Sequence, residues 1–151
     1  MSVKRLAPAQ RRHTRITPEH TERRGSNGFP SPADDYREAP LDLNLQLIPH
    51  PASTFFMRVE GQALAAEGFA HGDLLIVDRA QTPYPGHWVV AVIDGQLALR
   101  KLEGRGHRRW LRGSDARQAR LPLDDEGDDR RLWGLVCHVV HDCRHGDEAQ
   151  G

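Results

Sequence analysis

Residues 55–79 read FFMRVEGQALAAEGFAHGDLLIVDR, and the fold turns on how this stretch is interpreted. Residues 74–77 form a short, wholly apolar run bounded by Gly72-Asp73 on one side and Asp78 on the other. A run of that length between turn residues predicts a strand buried on both faces, the spine of a core. Residues 54–59, rich in aromatic and β-branched side chains, predict a second strand. Between the two lie the turn Gly61-Gln62-Ala63-Leu64 and, over residues 63–67, a single helical turn.

Working outward, residues 41–47 alternate loosely and predict a further strand, separated from the next by Pro49-His50-Pro51. Asp94-Gly95 between the apolar runs 88–93 and 96–102 predicts a tight β-hairpin, the clearest local element in the chain. Residues 108–112 and 120–123 read as a more polar strand pair around Gly113-Ser114-Asp115. Residues 124–129 form an acidic turn, residues 132–141 a final strand, and residues 143–151 a frayed polar tail. The expected class is mainly β.

The chain has 151 residues, 38% of them hydrophobic, enough for one ordinary core. Its 21 basic and 21 acidic residues give no global pull toward nucleic acid or membrane. The charge is uneven, however. Residues 1–27 carry seven basic side chains against two acidic ones, a net +5, and the remainder is −5. That first segment is too polar to bury surface against the entropy of ordering, so it reads as a flexible, disordered basic arm, with weak contact to DNA phosphates as its sharper use. Residues 28–142 then form the β domain. No apolar run approaches a membrane span and no hydrophobic signal region follows Met1, which implies a cytoplasmic protein. Cys137 and Cys143 are too few for a disulfide framework and should remain thiols.

Several blocks in order, Gly28-Phe29-Pro30-Ser31-Pro32-Ala33-Asp34-Asp35-Tyr36, Leu41-Asp42-Leu43-Asn44, His50-Pro51, Gly72-Asp73-Leu74-Leu75-Ile76-Val77-Asp78, Asp94-Gly95 and His138-Val139-Val140, make the chain resemble the LexA/UmuD self-cleaving proteases, closest to the UmuD branch. The resemblance implies the β domain of that family behind the arm. It also implies a place in the SOS DNA-damage response, as accessory or regulatory subunit of an error-prone translesion polymerase. The partners it implies are a second copy or an active UmuD, a Y-family polymerase of the UmuC type, and the RecA filament. No cofactor is implied. A LexA-type repressor fits less well, since 27 arm residues are too few for a helix-turn-helix domain.

The same resemblance locates the family's chemistry. Its Gly-Asp-Ser-Met turn is Gly61-Gln62-Ala63-Leu64 here, so the nucleophile position holds Ala63. Its lysine base, which must be neutral to take the serine proton, falls at Arg100, and an arginine stays protonated. The bond the family cuts would be Asn27-Gly28, with Asn27 in place of the usual small residue. These replacements lead to the expectation of a non-cleaving pseudo-peptidase, not an enzyme. The alternative is an active self-processing peptidase cutting at Asn27-Gly28. For that alternative, Lys101 is the nearest substitute base, although strand alternation puts it on the side of Leu97 and Leu99 and Arg100 on the other. Ser53, Thr54 and Ser114 are the substitute hydroxyls to weigh.

Two other groupings compete for attention. Cys137, His138, His141, Cys143 and His145 are zinc-type ligands, but on a strand Cys137 and His141 would stand roughly 13 Å apart at about 3.3 Å per residue, and no metal is expected. Arg105, Arg108, Arg109, Arg112, Arg117 and Arg120 surround Trp110, a composition that suits single-stranded nucleic acid. Pairing of these arginines with residues 124–129 is the simpler interpretation.

Overall fold

The computed structural model describes residues 2–8, 40–113, 119–124 and 127–145. The apolar run is a strand, β3 (Leu74–Asp78), in which Leu75, Ile76 and Val77 are almost wholly buried. Such a strand has no face for water, so it must be covered on both sides and paired on both edges. One edge pairs antiparallel with β2 (Thr54–Glu60) and the other with β8 (Leu132–Val140). On β8 the ladder continues to β4 (Trp88–Ile93), which pairs with β5 (Gln96–Arg105) through the hairpin at Asp94-Gly95. Asp94 has φ 51° and Gly95 φ 76°, the left-handed pair that a tight hairpin turn requires.

The ring is closed by β1 (Ser2–Pro8), which pairs with β2 along its length and touches β5 at Ser2–Ala98. This corrects the expectation of a wholly disordered arm: its first residues are a strand. Val3 enters the core opposite Val59, and Arg5 lies 4.7 Å over the ring of Phe55. The rest of the expected arm, and the bond Asn27-Gly28, lie outside the described residues.

A second correction concerns residues 41–47. They hold a one-turn helix, α1 (Leu43–Leu47), and not a strand. Alternating leucines mislead here because Asp42 accepts a hydrogen bond from the amide of Asn44 at 2.9 Å, an N-cap that starts a helix. Leu47 and Ile48 then pack on Phe56 and Ile76, covering the outer face of β3. Its inner face meets Met57, Val59, Val90 and Leu99 in the main core. A smaller core of Val89, Ala91, Leu102, Leu111 and Leu123 lies where the far half of β5 turns away to pair with β6 (Arg108–Leu111), itself paired with β7 (Leu121–Pro122). At the end of the chain, Cys143–His145 is a short 3₁₀ turn, which places ordered backbone at the start of the expected tail. Among the described residues no helix is long and apolar enough to cross a membrane.

Two contacts hold β3 in place. Asp78 is buried, and its carboxylate accepts from Ser53 Oγ at 2.6 Å, His50 Nδ1 at 2.8 Å, the amide of Ala80 at 2.8 Å and Gln81 Nε2 at 3.0 Å. A carboxylate only accepts, so the proton of the His50 ring is on Nδ1. Burial alone would raise the carboxyl pKa, but the bonds from Ser53, His50, Ala80 and Gln81 outweigh it and hold the pKa at about 2. On the other edge, β8 crosses so close that a β-carbon on Gly134 would stand 2.6 Å from a methyl of Val77.

Because folding lowers the Asp78 pKa, its stabilisation is present above the unfolded value and is lost as pH falls from 3.8 to about 2. Asp78→Asn should therefore lose about 2 kcal/mol at neutral pH in urea denaturation. The gap to the parent protein should close across that acid window; a constant gap would contradict the ionic account. Gly134→Ala should cost about 1–3 kcal/mol by overpacking. Adding Val77→Ala to it should cost less than the sum of the two single changes, since each relieves the other's strain or void.

Candidate functional site

The turn that carries Ala63 is built by the end of β2. Gly61 leaves the strand at φ 94° and its amide donates to His71 Nδ1 at 2.9 Å. Leu64 is buried and anchors the turn from below, a 3₁₀ turn follows over Ala65–Glu67, and Gly68 at φ 97° ends it. Phe69 then returns to the core against Trp88, ring centroids 4.7 Å apart. Ala63 itself is exposed, and its methyl group offers no nucleophile.

Arg100 and Lys101 point to opposite sides of β5. Leu97 and Leu99 belong to the main core, and Lys101 follows their side, with Nζ 6.0 Å from the ring of Trp88. Arg100 faces the other side of the strand, into a cavity of about 560 Å³ walled by Ser2, Ala98, Leu111 and Leu121 among others. Ala63 is not part of that wall. The Arg100 guanidinium donates to the carbonyl of Leu99 at 2.9 Å, and burial pushes its pKa down from the ordinary arginine value. It remains a cation at any physiological pH.

The substitute hydroxyls fall in other places. Thr54 Oγ1 is buried and donates to the carbonyl of His50 at 2.7 Å, while Ser53 Oγ is committed to Asp78. Ser114 lies outside the described residues. The Ser53, His50 and Asp78 cluster has the composition of a triad without its order, because the hydroxyl bonds the carboxylate and not the imidazole. Sequence reasoning noted His50 and Asp78 separately but had no signal for their contact across 28 positions. Ser2 was equally illegible as part of the Arg100 cavity, since only barrel closure brings the two together.

The zinc-type residues are spread over different partners. His141 Nδ1 bonds buried Asp73 at 2.6 Å, and Cys137 lies beside Asp78 and Gln81, its thiol pushed up by burial and by the Asp78 charge. Of the arginines around Trp110, Arg109 pairs with Asp129 at 2.6 Å, Arg112 with Glu67 at 2.7 Å and Arg120 stacks 4.7 Å over the Trp110 ring. Arg105 and Arg108 are exposed on the β5–β6 hairpin. Arg117 lies outside the described residues.

Comparison with known proteins gives this geometry a lineage. The family described as Peptidase S24-like matches residues 22–137. Protein ImpA of Salmonella typhimurium is 41% identical over 124 residues, covering 78% of this chain and 79% of its own. Protein SamA of Salmonella typhimurium strain LT2 is 35% identical over 142 residues, covering 94% and 97%. Protein MucA of Escherichia coli is 34% identical over 115 residues, covering 76% and 78%. The expectation that the chain is not an enzyme is corrected by this result: the matching family is one of peptidases, and the residues at positions 63 and 100 do not show inactivity. With a β barrel of the expected kind and these relatives across most of its length, the chain belongs to the Peptidase S24-like family as a UmuD-like member.

Proposed function

We propose that this UmuD-like protein of SOS mutagenesis is an accessory or regulatory subunit of a Y-family translesion polymerase, assembled as a dimer with itself or with an active UmuD and responsive to the RecA filament. The match across residues 22–137 together with similarity to ImpA, SamA and MucA carries the reading. An apolar outer surface supports an assembling role. Leu41, Leu43 and Leu45 are exposed around α1, and Val139 and Val140 are exposed at the end of β8, the strand next to the one α1 covers. Exposed large apolar side chains suit a protein partner. DNA contact is weak in this reading, because three of the five described arginines near Trp110 already have a carboxylate or a ring partner.

Self-processing between Asn27 and Gly28 is a second reading, favoured by the match to a peptidase family. A hydroxyl other than position 63 has to attack, and a base other than the Arg100 cation has to take its proton.

Affinity capture of the tagged protein from DNA-damaged cells should bring down a Y-family polymerase; a repeated absence of any polymerase counts against the role. Leu43→Asp with Val140→Asp should shift sedimentation from dimer to monomer. For the second reading, incubation with RecA filament should yield a fragment whose mass begins at Gly28. Full-length protein alone after such incubation removes that reading.

A further inference from the structure

The cavity beside Arg100 has a chemical bias of its own. Three arginines, Arg100, Arg112 and Arg120, are among the residues that line it, against one acidic residue, Asp94. Their states differ. Arg112 is engaged by Glu67 at 2.7 Å and by Glu103 at 3.6 Å, so its charge is largely answered. Arg120 lies 4.7 Å over Trp110, and ring stacking leaves its N–H groups free to point elsewhere. Arg100 donates only to the carbonyl of Leu99 among the described residues. A guanidinium carries five N–H donors in a planar fork, so most of this half-buried cation's capacity opens on the cavity.

Around these cations the wall is mixed, with Ile93, Ala98, Leu111 and Leu121 giving apolar surface and Ser2 and Gln96 polar surface. The apolar surface lowers the local dielectric and strengthens a charge-assisted bond formed inside. At about 560 Å³ the space matches a small molecule or one or two side chains, and is far too narrow for a duplex.

We propose that this cavity is an oxyanion-binding site, taking a carboxylate or phosphate group on a small apolar body, with Arg100 as the bidentate partner and Arg120 as a second cation. The site is independent of whether the chain processes itself. A carboxylate could arrive on a peptide and a phosphate on a nucleotide fragment, and the two share the planar or tetrahedral oxygens that a guanidinium fork accepts.

The test is NMR titration of the full-length protein at fixed ionic strength, following the amides of residues 96–101 and the Arg100 Nε–H. The probes are N-acetyl-leucine, its uncharged amide, and inorganic phosphate. N-acetyl-leucine should bind at least about 10-fold more tightly than the amide, the difference being one charge-assisted bond pair. Tighter binding of N-acetyl-leucine than of phosphate assigns the site to peptide carboxylates; the reverse assigns it to phosphate groups. Arg100→Gln should weaken the preferred anion by about 10-fold or more with the spectrum otherwise folded, and Arg108→Gln, outside the cavity, should leave it unchanged. Equal binding of acid and amide, no shift with either anion, or full binding by a folded Arg100→Gln protein would overturn the proposal.

Discussion

A strand with no polar side imposes the architecture. Leu75, Ile76 and Val77 in β3 are all buried, and each such side chain is worth about 1.5–3 kcal/mol only when both faces are covered. The barrel interior covers one face with Met57, Val59, Val90 and Leu99, and α1 with its following Ile48 covers the other. Both edges are occupied as well, by β2 and β8. Much of the remaining chain is placed by that demand. The hairpin of β4 and β5 continues the barrel from β8, and β1 closes it.

Ends of β3 are fastened by buried carboxylates that reach distant segments. Asp78 gathers the Pro51–Ser53 turn and the loop after the strand, while Asp73 accepts the amide of Ala70 at 2.8 Å and holds His141 at the end of β8. A buried carboxylate without such donors would be costly, so each pin works only when its partners are in place. Gly134 plays the complementary steric part, since any larger residue would push β8 off Val77.

The same barrel separates two neighbouring cations into different environments. Alternation along β5 sends Lys101 toward Trp88 and Arg100 into the cavity at the junction with β6 and β7. One position in sequence thus becomes two surfaces in space. A lysine at position 100 could lose its proton on burial, whereas the arginine keeps its charge there and offers donors instead. The residue present therefore favours holding an anion over accepting a proton.

Local patterns in the sequence determined the buried strand, the Asp94-Gly95 hairpin, the polar strands near residues 108–111 and 121–122, and the long final strand, because each rests on side chains close together in the chain. Family blocks from Gly28 to Val140 likewise made the lineage legible. Alternating leucines at 41–47 failed as a guide, since a cap from Asp42 and packing on Ile76 favoured a helical turn over the strand their spacing suggested. Polar composition similarly concealed β1, whose ordering depends on one buried valine and on two open strand edges supplied by distant parts of the chain. The Asp78 cluster and the Arg100 cavity were decided only by the tertiary structure. Each assembles groups far apart in sequence, and no local spacing encodes a contact that barrel closure alone creates.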